Sequence, residues 1–208
     1  MLLSSLKLIL SEQIASLTSP KVCFFKIGKG DYAEHDQFLG IRVPTLRKLA
    51  KQFFHLPLTD LQILLESPFN EERLLALIIL VNRYQKAQPH EKQRYYQFYV
   101  DNRRHVNNWN LVDASAPLIM GHYLSDKNKD ILVTLSQSQN LWERRISIMA
   151  TWHFILHNNC FDWTLKIAEI LLTDRHDLIQ KTTGWMLREV GKKNINVLKN
   201  FLDQYRTT

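Results

Sequence analysis

Apolar residues recur at intervals of three and four along almost the whole chain, and this spacing constrains the fold more than any other feature. It is the spacing at which one face of an α-helix meets a core. No stretch alternates with a period of two for long enough to need a sheet, although the polar, glycine-bearing residues 28–40 leave room for a short hairpin. The sequence therefore predicts an all-α fold. The periodic runs fall at residues 3–17, 46–54, 61–65, 74–84, 111–124, 146–155, 165–172 and 179–190.

Start and stop signals divide these runs into separate helices. Pro44 stands where a first-turn proline is tolerated, and Asn70 precedes two glutamates at the start of a long run. Residues 59–62 read Thr-Asp-Leu-Gln, which is the pattern of a capping box. Gly191 is expected to end the last run, because glycine is common just beyond a helix C-terminus.

A weak internal repeat emerges when the longer helices are superposed. Four segments, spaced by 38, 33 and 37 residues, each open with a polar residue and place a small residue four positions later. A small side chain lets two helices approach closely, and two-helix units of this length stack because none buries its apolar face alone. We therefore predict one HEAT-like or armadillo-type superhelical solenoid over residues 1–208, with a concave basic face. The segments begin at Glu72, Asn110, Glu143 and Gln180, and their small residues are Ala76, Ala114, Ser147 and Gly184.

Four residues break the pattern of the repeat. Asp113 takes a position that is apolar or neutral in the other segments, and Trp109 lies one helical turn before it. Arg145 and Trp185 are similarly exceptional at the neighbouring positions of later segments. A carboxylate on an apolar face is costly unless it has a partner or a task, so the four side chains are candidates for one cleft. Each alone is more often structural, and on spacing alone both interpretations stay open.

The charge of the chain points toward an acidic partner. With 27 Lys and Arg against 20 Asp and Glu, the net charge is +7 and the isoelectric point is about 9.4. Nucleic acid is the commonest partner of such a chain, although a basic protein with a solvated surface fits the same number.

Several other classes of site are excluded. Cys23 and Cys160 are far apart and lie in no zinc-ligand spacing, which favours a reducing cytosol over a disulfide scaffold. The chain has no dinucleotide fingerprint, P-loop or nucleophile elbow. His153 and His157 lie one turn apart, but without the glutamate of a zinc protease we interpret them as surface or satisfied histidines. We expect no metal, no cofactor and no membrane segment, and the apolar run near the N-terminus is too short for a signal peptide.

Four stretches resemble a known family. They are FLGIRVPTLR at 38–47, WNLVD at 109–113, NLWERR at 140–145 and GWMLRE at 184–189, and they occur in order within residues 20–190. Together they are similar to the bacterial DNA alkylation repair proteins of the AlkD type, which are HEAT-like DNA glycosylases. The chain departs from typical members at Asn108, where they have a second tryptophan, and in the segment 26–38, which not all branches share.

The resemblance implies a function and a set of site residues. The family excises N3- and N7-alkylated purines from duplex DNA held on the concave face, and approaches the sugar from the minor groove without enclosing the base. Asp113 matches the catalytic carboxylate, and Trp109 and Trp185 match the aromatic walls beside the sugar. Arg145 matches a cation that contacts the DNA backbone. Further phosphate contacts are expected from Arg144, Lys181 and Arg188.

Three functions from different classes remain. The first is a bacterial cytosolic glycosylase that acts as a monomer, and Asp113 with both tryptophans favours it. The second is a non-catalytic HEAT-repeat binder of damaged or branched DNA, which would keep the basic face and tolerate loss of Asp113. The third is a protein-interaction scaffold, which needs no basic face.

Overall fold

The computed structural model describes residues 2–15 and 25–206, and these residues confirm the all-α class. No strand forms among them, and the segment 28–40 folds into turns rather than a hairpin. The only sheet-like pairing in the described ranges is an isolated parallel bridge between Gln37 and Phe69. Each helix in these ranges is too short or too polar to span a bilayer. Leu17 and Cys23 lie outside the described residues.

The chain divides into two compact units, Met1–Ala114 and Ser115–Thr208. Whether the two units act as the single predicted domain stays a prediction. The first unit contains α1 (Leu2–Ala15), α2 (Val43–Gln52), α3 (Leu58–Leu65), α4 (Asn70–Lys86), α5 (Pro89–Asp101) and the start of α6 (Trp109–Ser115). The second contains α7 (His122–Leu124), α8 (Asp130–Ser136), α9 (Leu141–Ala150), α10 (Asp162–Leu171), α11 (Asp177–Lys193) and α12 (Ile195–Gln204).

In the first unit, α4 is the central helix. Both α2 and α3 pack against it, and α4 is buried around most of its circumference. The facing side chains on α2 and α3 include Leu46, Leu49, Leu61 and Leu64, all buried. Each such leucine contributes about 1.5–3 kcal/mol when it leaves water, so this packing holds the first unit together.

In the second unit, two helix pairs stack in a regular register. Helix α8 packs on α9, α10 packs on α11, and the two pairs contact each other through α9–α11 and α8–α10. The contacts between α9 and α11 recur at a sequence offset of 33, from Arg145 to Leu178 and from Met149 to Thr182. A constant offset means that the two helices run parallel, which is the neighbour-on-neighbour stacking of a helical repeat.

The predicted role of the small residue in each repeat segment is wrong at Gly184. Gly184 is exposed, and a Cβ added there would meet nothing within 4 Å. The close helix approach occurs at Gly121 instead, where an added Cβ would lie 2.2 Å from the carbonyl oxygen of Ala150. Gly121 therefore permits the contact between its own helical turn and α9.

Two predicted helix boundaries are also wrong. Helix α3 begins at Leu58, before the capping box predicted at residues 59–62, and no side-chain cap forms because the N-cap residue Pro57 has no side-chain hydrogen-bond acceptor. Helix α11 continues past Gly191 to Lys193. Gly191 instead makes room for α12, since a Cβ there would lie 2.5 Å from the side chain of Leu198.

Pro44 and Asn70 do mark helix starts, as predicted. The run 111–124, in contrast, is not one regular helix. It is interrupted by a π-helical turn at Pro117–Gly121, where the proline lacks the N–H of a regular helical hydrogen bond.

Candidate functional site

The first unit carries the candidate carboxylate and one candidate aromatic wall on a single helix. Trp109 is the first residue of α6 and Asp113 follows one turn later, and both side chains are half-buried. Residues four apart on a helix lie on the same face. The predicted juxtaposition of these two residues therefore holds in the structure.

Three aromatic side chains from the loop before α2, residues 25–42, fix the indole of Trp109. Phe25 stacks on the indole with ring centroids 5.2 Å apart, and Phe38 stacks on Phe25 at 4.6 Å. The indole Nε1–H donates to the hydroxyl oxygen of Tyr32 at 3.2 Å. Offset stacking and a hydrogen bond together hold the ring in one orientation. The segment 26–38, which the sequence marks as a departure from the family, thus forms part of this site.

A buried hydrogen-bond network joins the same loop to the starts of α4 and α6. Asp36, whose side chain is 5% exposed, pairs with the guanidinium of Arg73 at 2.5 Å. Its second oxygen accepts from the amides of Asn70 and Asn108, the latter at 2.6 Å. Asn70 and Asn110 exchange a further pair of side-chain hydrogen bonds. Asn108 is fully buried, so the residue that departs from the family pattern anchors the start of α6.

Asp36→Ala is expected to lower the free energy of unfolding by about 3–5 kcal/mol, because it leaves the buried Arg73 without its counter-charge. Chemical denaturation monitored by circular dichroism measures this loss. Asp126→Ala is the matched control, since its ion pair with Lys127 lies at the surface and should contribute nothing measurable. Equal stabilities of the two variants would show that the Asp36 network does not hold the loop to α6.

The second unit carries the other candidate aromatic wall. The ring of Trp185 on α11 lies 5.1 Å from that of Trp152, which belongs to the helical stretch continuing α9. The indole of Trp185 also donates to Glu189 at 3.2 Å. Glu189 accepts a second hydrogen bond from Lys192, which lowers the pKa of the carboxyl, so Glu189 is ionised at neutral pH. Trp185 is therefore held on two sides.

Two of the predicted DNA-binding cations, Arg144 and Arg145, form hydrogen bonds to other residues of the protein. Arg144 pairs with Asp174 at 2.6 Å and also donates to the carbonyl oxygens of Ser138 and Gln139. Arg145 is only 6% exposed and donates to the carbonyl of Leu178 at 2.9 Å. Both contacts join α9 to the chain around the start of α11, which favours a role in packing.

The other two predicted cations lie at the surface of α11. Lys181 is exposed and pairs with Asp177 one turn earlier at 2.9 Å, and Arg188 is exposed near the end of the helix. Because surface ion pairs are weak and rearrange readily, Lys181 can turn toward a ligand phosphate. Arg188 can do so because its side chain is exposed. Asp113 belongs to the first unit, whereas the second unit contains Arg144, Arg145, Lys181 and Trp185. The convergence of these residues into one cleft therefore stays a prediction.

Three histidines of the second unit, His122, His153 and His157, lie close together. The ring of His153 lies 4.5 Å from that of His157 and 5.1 Å from that of His122. Burial lowers the pKa of His153 to about 4, and the two neighbouring histidines add to this effect. His153 is therefore neutral at physiological pH. In the described part of the chain, no group of three potential ligands is arranged to hold a metal ion.

Sequence reasoning missed the residues that support the candidate side chains. Tyr32 and Phe25 hold Trp109, Asp36 anchors its helix, and Trp152 packs on Trp185. One signal was available for Trp152, because it follows Arg145 by seven residues and so lies on the same helix face. No comparable signal existed for Asp36.

The stacked helix pairs define a helical-repeat protein. One face of its helix α6 carries a carboxylate and an indole. Comparison with known proteins gives the family. The family model for DNA alkylation repair enzymes matches residues 21–208, and the chain belongs to that family. The solved structure of a predicted DNA alkylation repair enzyme from Enterococcus faecalis shares the fold, with a TM-score of 0.65, 18% identity, and coverage of 83% of this chain and 84% of that one. No curated protein matches the chain. The resemblance stated from the sequence motifs is confirmed.

Proposed function

We propose that the protein is a DNA glycosylase that hydrolyses the N-glycosidic bond of N3- and N7-alkylated purines in duplex DNA. The observation that carries the proposal is the pair on α6, where Asp113 lies one turn from an indole that Phe25 and Tyr32 hold in place. A carboxylate one helical turn from a fixed aromatic face suits a reaction that builds positive charge on a sugar. Family membership as a DNA alkylation repair enzyme agrees with this reaction.

The reaction needs few groups from the protein. An alkylated purine carries a positive charge, so when the bond to the sugar breaks its electron pair neutralises the departing base. Positive charge then develops on the deoxyribose, as in glycoside hydrolysis. Asp113 stabilises that charge and orients the water that adds to the sugar carbon. The indole face of Trp109 adds cation–π attraction of about 1–2 kcal/mol in a desolvated site.

The surface of α11 contributes to DNA binding in this proposal. Trp185 forms the second aromatic wall, and Trp152 and Glu189 hold its ring. Lys181 and Arg188 contact phosphates, while Arg144 and Arg145 position the helices that carry these groups. The enzyme acts as a monomer in the bacterial cytosol.

Binding to duplex DNA is expected to weaken with salt. Each phosphate that a cation neutralises contributes a slope of about −0.9 to the plot of log K against log salt concentration. Contacts from Lys181 and Arg188 alone give about −1.8, and any further contact makes the slope steeper. Fluorescence anisotropy of a labelled duplex over a range of salt concentrations measures it. A flat plot, or no binding at low ionic strength, contradicts this mode of binding.

A second candidate function is a non-catalytic binder of damaged or branched DNA. The exposed cations Lys181 and Arg188 on α11 suit DNA binding without any catalytic role for Asp113, which favours this candidate. The two functions differ in one assay. Duplex DNA treated with a methylating agent is incubated with the protein, and free 7-methylguanine and 3-methyladenine are quantified by chromatography. Release above the spontaneous rate supports the glycosylase, whereas DNA binding without release supports the binder.

A further inference from the structure

Helix α2 carries a row of cations that lies outside the candidate site. Residues 37–59 contain Arg42, Arg47, Lys48 and Lys51 and no acidic residue. On α2, the buried positions face α4, and Arg47, Lys48 and Lys51 are all exposed. Residues three and four apart share a helix face, so the three cations form one charged surface. Arg42, also exposed, extends it at the N-cap of the helix.

These four cations differ from several lysines elsewhere in the protein, which have partners within it. In the described part of the chain, none of them forms an ion pair or lies over an aromatic ring. Lys127 pairs with Asp126, and Lys129 and Lys166 lie over the rings of Phe154 and Trp163. Like charges at this spacing repel one another and weaken the helix. A polyanion laid along α2 would relieve that repulsion.

The position of α2 is fixed relative to Trp109 by hydrogen bonds within the first unit. Glu71 at the start of α4 accepts from the backbone N–H groups of Leu39 and Gly40, just before α2. Asp36 is bonded to Asn108, the residue before Trp109. Arg42 follows Asp36 by six positions in the chain, so their Cα atoms are at most about 22 Å apart. Duplex DNA carries one negative charge per about 1.7 Å of its axis, so a stretch of that length presents about a dozen phosphates.

We propose that the exposed face of α2, formed by Arg47, Lys48 and Lys51 with Arg42 at its N-cap, is a second phosphate-binding surface for duplex DNA. It contacts the backbone to one side of the lesion and supplies affinity without sequence preference. The choice of duplex DNA as the polyanion rests on the proposed function. The surface itself rests on the charges and the geometry of α2.

The test compares two triple variants with the same change in net charge. The first is Arg47→Gln, Lys48→Gln and Lys51→Gln together, and the control is Lys127→Gln, Lys129→Gln and Lys166→Gln together. Anisotropy with an unmodified labelled duplex is measured between about 50 and 200 mM salt. The α2 variant is expected to lose about 2.7 from the steepness of the salt slope, at 0.9 for each contact, whereas the control keeps the wild-type slope. Equal slopes for the two variants overturn the proposal.

Folding and function are checked on the same preparations. Because the three α2 side chains are exposed and repel one another, the melting temperature of the α2 variant should equal or exceed that of the wild type. If that variant does not fold, the single variant Lys48→Gln should still reduce the slope by about 0.9, and an unchanged slope overturns the proposal.

Three further outcomes separate this proposal from the proposed function. Base release by the wild type with equal salt slopes for both triple variants overturns the α2 surface and leaves the glycosylase. Loss of binding confined to the α2 variant, without base release by the wild type, supports the surface and overturns the glycosylase. Binding of phosphatidylserine vesicles that depends on α2, with unchanged DNA binding, assigns the surface to a membrane and overturns the proposal.

Discussion

Asp113→Asn is expected to fold as the wild type does and to lose excision of methylated purines by a factor on the order of 10²–10³. The amide has the size of the carboxylate, but it lacks the negative charge that stabilises the sugar as the base departs. The half-buried side chain lies on α6, and Asn108 and Asp36 anchor the start of that helix. Single-turnover base release and a thermal melt on the same preparation measure both properties.

The matched control for this variant is Asp126→Asn, which changes an exposed carboxylate in the second unit. It should leave both the rate and the melting temperature unchanged. If Asp113 has a purely structural role instead, Asp113→Asn destabilises the fold by roughly 1–3 kcal/mol, and the activity per folded molecule survives.

Local sequence signals predicted the helices well, because helix formation depends on neighbours three and four residues apart. The runs 46–54 and 74–84 correspond to α2 and α4, and the two helix starts at Pro44 and Asn70 are confirmed. The same reasoning failed at Gly184 and Gly191. What a glycine does depends on which helix lies opposite it, and that partner is set by tertiary packing.

The candidate site was predicted in part for the same reason. Trp109 and Asp113 share a face because they are one turn apart, which the sequence alone establishes. The hydrogen bonds that anchor their helix join Asp36 to Asn70 and Asn108, across 34 and 72 residues. The sequence gives no periodic signal for such long-range contacts. For Arg144 and Arg145, the family resemblance implied contacts with the DNA backbone, and the structure shows contacts that join α9 to the chain near the start of α11. Whether the two side chains also contact DNA stays a prediction.

The charge of the lesion should decide which bases are excised. The proposed site offers a carboxylate and aromatic faces, and the proposed mechanism assigns none of its residues to protonate a departing base. A cationic purine leaves as a neutral molecule, whereas an uncharged base has to leave as an anion. General acid catalysis of such a step is worth about 10²–10⁴-fold, and this site does without it. We therefore expect release of 7-methylguanine and 3-methyladenine, and little or no release of uracil, 8-oxoguanine or 1,N6-ethenoadenine.

Matched duplexes that differ only in the lesion test this selectivity under single-turnover conditions. Binding affinity for each duplex is measured in parallel, because phosphate contacts should be indifferent to the base and all duplexes should bind alike. Selectivity then lies in the rate of bond cleavage, where the positive charge of the lesion takes the place of a general acid in the proposed mechanism. Efficient release of uracil would contradict this mechanism, since it requires an activator of the leaving group that neither Asp113 nor the indole of Trp109 supplies.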